Sequence, residues 1–169
     1  MPMAEQWTVA ELTASHYQSG RVVWIGCATE RRGTMALHQS VELKPGTGIQ
    51  NEHHANSGRS KRQITLIQAE HLPVIASLLG LEQVAPELLR RNIVVSGLNL
   101  LTLKKQRFFI GDVECEGTGL CAPCSRMEET FGPGGYNAVR GHGGITAIVH
   151  SEGTISIGDA IKPDSNAES

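Results

Sequence analysis

The chain has 169 residues, of which 40% are hydrophobic, and its formal net charge is −2. This length predicts a single domain with enough apolar side chains for a buried core. The nearly balanced charge excludes a general attraction to nucleic acid or to an anionic membrane. No apolar run approaches the roughly 20 residues of a membrane helix, and the N-terminus lacks the apolar stretch of a signal peptide. Four cysteines in such a chain indicate reduced thiols, and we expect a cytoplasmic protein.

The first predicted element is a helix that begins after Thr8. Thr8 and Glu11 match the capping-box pattern, in which each side chain binds the backbone N–H of the other residue. The helix is expected to run to about Gln18, with Gly20 as its stop. We interpret residues 1–20 as an N-terminal helical arm that packs on the main domain.

The rest of the chain reads mainly as short strands separated by turn residues. A turn at 151–153 predicts a hairpin between the last two strands. Because strands and helices alternate irregularly, the pattern favours a mainly β domain at 21–162, a β-barrel-like or strongly curved sheet with peripheral helices. A polar tail at 163–169 is expected to be disordered. Strands are predicted at 21–28, 39–43, 63–67, 92–96, 107–114, 145–150 and 154–157, and helices at 68–79 and 86–90.

The clearest chemistry lies after the strand at 107–114, which is expected to enter a turn made by glycines 117 and 119. Cys121 and Cys124 follow and flank Pro123. Proline suits the first helical position, so Cys124 is predicted in the first helical turn, at the positive end of the peptide dipoles. That setting stabilises a thiolate, and Arg126 adds a positive charge. An ionised thiol is what a nucleophile, a sulfur carrier or a soft-metal ligand needs.

The other cysteines leave alternatives open. Cys27 and Cys115 lie on strand-like runs and are expected to be small buried hydrophobes. Cys121 and Cys124 form a CxxC pair, but no second pair follows at the spacing of a zinc site. Cys115, Cys121, Cys124 and a histidine would still complete one, which keeps a non-catalytic zinc or partner-binding module as an alternative. A redox pair is the other alternative, although its βαβ context is missing.

A glycine-rich segment at 131–144 is the second feature. Glycines let the backbone approach a ligand closely. Its polar members Asn137, Arg140 and His142 either line a pocket beside Cys124 or are exposed side chains of a tight connector.

Charged side chains elsewhere form two further candidate groups. Basic clusters around Arg62 and Arg91 can pair with phosphate, although such clusters are as often solvated. A long polar loop at 44–60 carries Glu52, His53 and His54, and its length indicates a functional or mobile segment. As metal ligands the two histidines would need a third partner.

Five pieces of the chain, in order, resemble the MOSC domain, the module found at the C-terminus of molybdenum cofactor sulfurases and in amidoxime-reducing molybdoenzymes. Each piece alone is a weak match, whereas five in the family's order are specific. The likeness covers about residues 21–161. The matching pieces are Leu43-Lys44-Pro45-Gly46-Thr47-Gly48-Ile49, Arg62-Gln63-Ile64-Thr65-Leu66-Ile67, Arg90-Arg91-Asn92-Ile93-Val94-Val95-Ser96-Gly97, Ile110-Gly111-Asp112 and Pro123-Cys124.

The resemblance implies a MOSC-type β-barrel in which Cys124 is the family's cysteine. In related proteins that cysteine is a proposed sulfur carrier or a ligand to the molybdenum of a pterin cofactor. It also implies a cofactor pocket that contains Arg62, Gln63, Arg91 and Asn92, placed to meet phosphate or pterin edges.

One family motif departs from its usual pattern. The family's Gly-Asp-Arg-His is replaced by Asn51-Glu52-His53-His54, where Glu52 and His54 match in kind but the glycine is missing. Tight ligand approach at this position is therefore not expected from the motif alone.

The resemblance also bears on partners and activity. The chain carries no pyridoxal-phosphate domain, so a cysteine desulfurase or another sulfur donor is the expected partner, together with the molybdenum cofactor or a molybdoenzyme. A molybdenum-dependent reductase of N-hydroxylated compounds is the alternative activity, and an electron donor would then be required.

Overall fold

The computed structural model describes residues 6–52 and 60–164. These residues form eleven strands, five α-helices and a 3₁₀ helix. The strands are β1 (Gly20–Cys27), β2 (Ala36–Leu37), β3 (Ser40–Lys44), β4 (Gly48–Ile49), β5 (Ile64–Gln68), β6 (Ile93–Ser96), β7 (Arg107–Ile110), β8 (Val113–Leu120), β9 (Ile145–Val149), β10 (Gly153–Ser156) and β11 (Ala160–Pro163). The helices are α1 (Val9–Ala14), α2 (His71–Leu79), α3 (Pro86–Leu89), α4 (Ser125–Phe131) and α5 (Gly135–Val139), and the 3₁₀ helix is Leu100–Leu103.

Seven of the strands close into a barrel. Their order is β11-β7-β8-β9-β5-β6-β1, and β1 pairs with β11 to complete the ring. All of these pairs are antiparallel except β5 and β6, which are parallel and joined by a crossover that contains α2 and α3. Closure removes the free edges of the sheet. The prediction of a mainly β, barrel-like domain with peripheral helices is confirmed.

Two apolar clusters stabilise this architecture. Alternate side chains of the strands fill the barrel interior, among them Leu66, Phe108 and Cys115. The second cluster, which includes Ile75 and Met127, packs helices against the outer face of the barrel at β5 and β6. All five residues of β5 are buried because both of its faces are covered. The same cluster seats α4, the helix that follows Cys124, against the barrel.

The prediction of one strand at 107–114 followed by a glycine turn is wrong. The chain turns earlier, at Gly111, where φ is +56°, so that β7 and β8 pair as a hairpin. Gly117 and Gly119 instead flank a bulge in β8, where its register with β9 shifts. A Cβ at Gly117 would lie 1.9 Å from the carbonyl oxygen of Leu103. Glycine is therefore required there by the close approach of the 3₁₀ helix.

The predicted hairpin between the last two strands is also wrong. β10 pairs with β3 rather than with β9, and β10, β3 and β4 form a separate three-stranded sheet. Ile155 of β10 lies opposite Val41 of β3, and both side chains are buried. The last strand, β11, was not predicted from the sequence, although its Ile161 is fully buried and the strand closes the barrel.

The N-terminal helix is shorter and less packed than expected. Its capping box is confirmed: Thr8 N donates to Glu11 Oε2 at 2.7 Å, and Glu11 N donates to Thr8 Oγ1 at 3.1 Å. The helix ends at Ala14, not near residue 18, and none of its residues is buried. The expectation that it packs on the main domain is therefore wrong. The arm contacts the barrel further along, where Gln18 Nε2 donates to the carbonyl oxygen of Gly97 at 3.2 Å.

The remaining helices compare more closely with the sequence. α2 ends as predicted at Gly80, whose φ is +69°, but it begins at His71 because β5 extends to Gln68. α5 was not predicted within the glycine-rich segment. The predicted disordered tail lies almost entirely outside the described residues. In the part of the chain that the structure describes, no helix combines the length and apolar character needed to cross a bilayer.

Candidate functional site

Cys124 lies where the barrel strand β8 gives way to helix α4. Residues 121–124 form neither a turn nor a helix, and α4 begins at Ser125. The prediction that Pro123 opens the helix and that Cys124 lies in its first turn is therefore wrong, because the helix begins one residue after Cys124. Cys124 is the N-cap residue, with an extended backbone (φ −125°, ψ 171°), and its side chain caps nothing. Its thiol is exposed, so a second molecule can reach it.

The other three cysteines are buried. Cys115 lies in the barrel interior, where burial raises the pKa of its thiol to about 12. Burial also raises the pKa of Cys27, and nearby Glu52 adds to the increase. Both residues are buried as the sequence predicted. Cys121 is 3% exposed, and its N–H donates to the carbonyl oxygen of Gly144 at 2.8 Å.

The local backbone does not favour a Cys121–Cys124 redox pair. Side chains three positions apart meet when a helix or turn brings them onto one face. Residues 121–124 contain no such element, and one thiol is buried whereas the other is exposed. Cys124 is thus the one cysteine of the four that is available for chemistry with another molecule.

Two arginines lie beside Cys124 and bind one turn. Arg90 donates from Nη1 to the carbonyl oxygen of Gly33, and Arg126 donates from Nη2 to that of Arg32 at 3.4 Å. Burial lowers the pKa of Arg90 and the charge of Arg126 lowers it further, whereas Glu52 and Cys124 oppose the change. The mutual electrostatic effects place these groups close together. Arg90 was seen only as part of a basic cluster in the sequence, because an Arg-Arg pair does not reveal which side chain faces outward.

Arg91, the second arginine of that pair, points into the protein. It is 2% exposed, and its guanidinium donates to the carbonyl oxygens of Gly143 at 2.8 Å, Leu89 at 2.9 Å and Ala122 at 3.5 Å. Burial lowers its pKa most, while Cys121 and Cys124 oppose that change. Among the described residues its hydrogen-bond partners are all neutral carbonyls. Its charge therefore remains to stabilise an anion at the Cys121–Cys124 segment.

The sequence also matches a known protein family. The sequence model described as "MOSC domain" matches residues 51–162, more than half of the 169-residue chain. This chain belongs to the MOSC domain family. The family is linked to molybdenum-cofactor binding. No curated protein sequence matches the chain.

Solved structures are similar to this MOSC domain in fold. The YuaD protein from Bacillus subtilis has a TM-score of 0.75 at 20% identity, over 86% of this chain and 96% of that chain. YiiM from Geobacillus stearothermophilus has a TM-score of 0.68 at 15% identity, over 86% of this chain and 75% of that one. YiiM from Escherichia coli has a TM-score of 0.65 at 15% identity, over 88% and 72%. At these identities the likeness shows the fold alone, and it confirms the MOSC-type barrel.

Two polar residues of the expected MOSC cofactor pocket make hydrogen bonds within the barrel. Asn92 is 2% exposed; its Oδ1 accepts from Thr65 N at 3.1 Å and from Thr65 Oγ1 at 3.2 Å, and its Nδ2 donates to Gly26 O at 3.3 Å. Gln63 accepts from Val149 N at 2.9 Å and donates to Ser60 O at 3.4 Å. These bonds join neighbouring strands, so the structure places both side chains within the framework of the site.

The loop that precedes β5 contributes further candidates. Glu52 is buried and lies close enough to Cys27 and Arg90 to affect the pKa of both. The positive charge of Arg62 helps to lower the pKa of Arg91. The Nε atom of Arg62 is buried with no hydrogen-bond partner in the described part of the chain. A buried donor of this kind normally has a partner. His54, with His53, lies outside the described residues.

Three further candidates come from the glycine-rich segment. Arg140 lines a cavity that also contacts Cys121 and Pro123, whereas Cys124 is not part of its lining. His142 is half-buried and packs edge-on against His71, with 5.6 Å between the ring centroids. Asn137 is exposed. The pocket that these three residues were predicted to line beside Cys124 therefore stays a prediction, with Arg140 the one of them that lines a cavity next to Pro123.

The side chains around Cys124 fit a sulfur-ligated, anionic cofactor better than a protein-bound zinc ion. No group of three His, Cys, Asp or Glu side chains in the described ranges is arranged to hold a metal. The alternative zinc site is not formed by Cys115, Cys121 and Cys124, because Cys115 lies inside the barrel. One accessible thiol suits a metal that brings most of its own ligands, and the guanidiniums of Arg90 and Arg126 suit phosphate.

Proposed function

We propose that this MOSC domain binds the molybdenum cofactor through Cys124. The single observation that carries the proposal is an exposed thiol close enough to Arg90 and Arg91 to interact with their charges, with Arg126 two residues further along the chain. A thiolate is a soft ligand of the kind that suits such a metal. When bound, the molybdenum centre would supply redox chemistry that the side chains of this chain lack.

The chain's own residues would hold and orient the cofactor. Cys124 would provide the protein ligand, on an extended backbone that presents the sulfur to solvent. Arg90 and Arg126 are anchored by carbonyls of the turn at 30–33, which sets them in place before a ligand arrives. Arg91 would stabilise a bound anion through its buried positive charge rather than through hydrogen bonds, because its N–H donors are already bound to carbonyls.

Metal and pterin analysis tests this proposal. The full chain is incubated with purified molybdenum cofactor, separated from free cofactor, and assayed for molybdenum and for pterin fluorescence. Wild-type protein is expected to retain both at near one per chain, and Cys124→Ser to lose the metal while its circular dichroism is unchanged. The buried Cys121→Ser variant serves as the matched control and should retain the metal. Equal retention by Cys124→Ser would overturn the proposal.

A second candidate function, sulfur carriage, is favoured by the exposure of the Cys124 thiol. The Cys124 thiolate would attack the terminal sulfur of a donor protein's persulfide. One S–S bond forms on Cys124 as the donor's S–S bond breaks, and the donor cysteine leaves as a thiolate. The transferred sulfur keeps its proton or releases it to solvent, and no external oxidant or reductant is needed. The charges of Arg90 and Arg91 would stabilise the resulting persulfide anion.

Mass spectrometry distinguishes this second function from simple cofactor binding. The chain is incubated with a cysteine desulfurase and cysteine, and its peptides are analysed without reductant. We expect a gain of one sulfur atom on Cys124, unchanged in Cys121→Ser and absent in Cys124→Ser. Transfer of sulfur to Cys121, or to no cysteine at all, would contradict the sulfur-carrier function of Cys124. Neither result would affect the outcome of the cofactor-binding test.

A further inference from the structure

A cavity of about 300 Å³ lies behind the Cys121–Pro123 segment, and nothing in the proposed function uses it. Its walls are largely apolar, with Leu100, Leu120, Pro123 and Ile145 among the lining residues. This volume lies at the small end of ligand-binding pockets, which typically combine apolar walls with a few polar groups. Cys124 is not among the lining residues, although the wall includes Cys121 and Pro123, which precede it in the chain.

Three carbonyl oxygens of residues in the cavity wall are already engaged in hydrogen bonds. Those of Ala122 and Gly143 accept from the buried guanidinium of Arg91, and that of Gly144 accepts from Cys121 N. No aspartate or glutamate is among the lining residues. Glu70, the nearest acid in sequence, directs both carboxylate oxygens to the N–H of Gly97, at 3.2 and 3.3 Å. The wall therefore offers few acceptors to a ligand.

Arg140 and Gln68 bring donors to the cavity, and Tyr136 lines it with a hydroxyl that both donates and accepts. Arg140 is exposed at the cavity, and its guanidinium makes no ion pair or hydrogen bond with any residue in the described ranges. Gln68 uses its oxygen to accept from Leu100 N at 2.9 Å, which leaves its NH₂ group as a donor. Arg140 makes the cavity positive, with no carboxylate in the lining to balance it.

His71 adds a donor that lacks a partner. Its Nδ1 is buried and makes no hydrogen bond with any described residue. Burial and the neighbouring His142 lower the pKa of its imidazole, which favours the neutral ring. In the tautomer with the proton on Nδ1, the ring donates, and a buried donor without an acceptor is unfavourable. A ligand oxygen would satisfy it.

We propose that this cavity binds a small organic carboxylic acid. The carboxylate would accept from Arg140, with Gln68 and His71 as further donors, and a ring or branched hydrocarbon body would pack on Leu100 and Leu120. A neutral or cationic ligand would leave the guanidinium unpaired. The inference goes beyond the proposed function and does not depend on Cys124.

Calorimetric titration of the full chain with 2-naphthoate tests this site, with 2-naphthamide as the uncharged analogue of the same shape. We expect saturable binding of naphthoate to one site, about tenfold tighter than binding of the amide. A hydrogen bond to a charged group typically changes the dissociation constant by about that much. Arg140→Gln should abolish the preference for the acid. Arg126→Gln, which removes an arginine from the Cys124 cluster, should leave it unchanged.

A second variant locates the binding. Leu120 lines the cavity and is 55% exposed, so Leu120→Asp should fold and weaken naphthoate at least tenfold by placing a carboxylate at the ligand. The proposal is overturned if naphthoate shows no saturation, if the amide binds equally well, or if Arg126→Gln weakens binding as much as Arg140→Gln. Failure of these tests would leave cofactor or sulfur loading at Cys124 intact.

Discussion

Arg91 Nε donates to the carbonyl oxygen of Gly143 at 2.8 Å, and joins two segments that are 52 positions apart in the chain. The same guanidinium binds Leu89 O and Ala122 O. One buried cation therefore ties together the end of α3, the segment that leads to Cys124 and the loop before β9. Because three planar N–H directions meet three carbonyls, arginine suits this position better than lysine.

Removing this guanidinium should destabilise the whole domain. We expect Arg91→Met to lower the free energy of unfolding by at least about 2 kcal/mol, because buried carbonyls that lose their donor cannot turn to water. Urea denaturation followed by circular dichroism measures the change. Arg126→Met is the matched control, with an expected loss of less than about 1 kcal/mol, since its guanidinium donates only to one exposed carbonyl within the described ranges, at 3.4 Å. Equal losses in the two variants would contradict this assignment.

Two glycines of the loop before β9 offer a comparison at matched backbone angles. Gly141 has φ +86° and open space around it, whereas a Cβ at Gly144, φ +84°, would lie 1.8 Å from Leu66 O. Gly141→Ala should cost about 1–2 kcal/mol from the left-handed backbone alone. Gly144→Ala should cost more and yield mostly insoluble protein, because β5 must move to make room. Soluble expression and thermal denaturation measure both, and equal effects would exclude the contact with β5.

Alkylation of the native protein should mark one cysteine. Cys124 is exposed, whereas Cys27, Cys115 and Cys121 are 7%, 0% and 3% exposed. Brief treatment with iodoacetamide is therefore expected to modify Cys124 first, and treatment in denaturant to modify all four cysteines. Peptide mass spectrometry assigns the sites. As a control, the Cys124→Ser protein should remain unlabelled over the same interval. Rapid labelling of Cys121 in the native protein would contradict its burial and show that the segment leading to Cys124 opens readily.

His71 should make stability depend on pH. Burial and nearby His142 lower its pKa in the folded state from the ordinary 6.5, so the unfolded chain binds a proton more readily. The free energy of unfolding should therefore fall as the pH drops through about 6.5 and toward the folded pKa. Urea denaturation at a series of pH values from 7.5 to 5.5 measures this slope. His71→Gln should flatten it, and an unchanged slope in the variant would contradict the burial of the imidazole.

Local signals in the sequence predicted several elements well. Thr8 and Glu11 form the capping box that their spacing indicates, because both partners lie within one turn. Gly80 ends α2 in the left-handed conformation that glycine adopts most easily. Cys124 was predicted at the junction of a loop and a helix, and the structure has it there, one residue before the helix.

Long-range pairings were beyond such signals. Nothing local in β10 distinguishes β9 from β3 as its partner, and the choice follows from the burial of Ile155 against Val41. β11 has a single buried residue, Ile161, and ends at Pro163, so it shows no alternating pattern in the sequence, yet it closes the barrel. A glycine at 117 reads as a turn, whereas the structure requires it for the close approach of Leu103.

The sequence by itself determined the mainly β class and the MOSC-type resemblance, and it predicted Cys124 as the reactive thiol, because each depends on residue order over short stretches. Only the tertiary structure decided the roles of the polar residues: Arg90 lies beside the thiol, Arg91 is buried below it, Asn92 holds the barrel together, and Arg140 lines a separate cavity. The physical reason is that the direction of a side chain depends on the strands and loops packed around it, which come from distant parts of the chain.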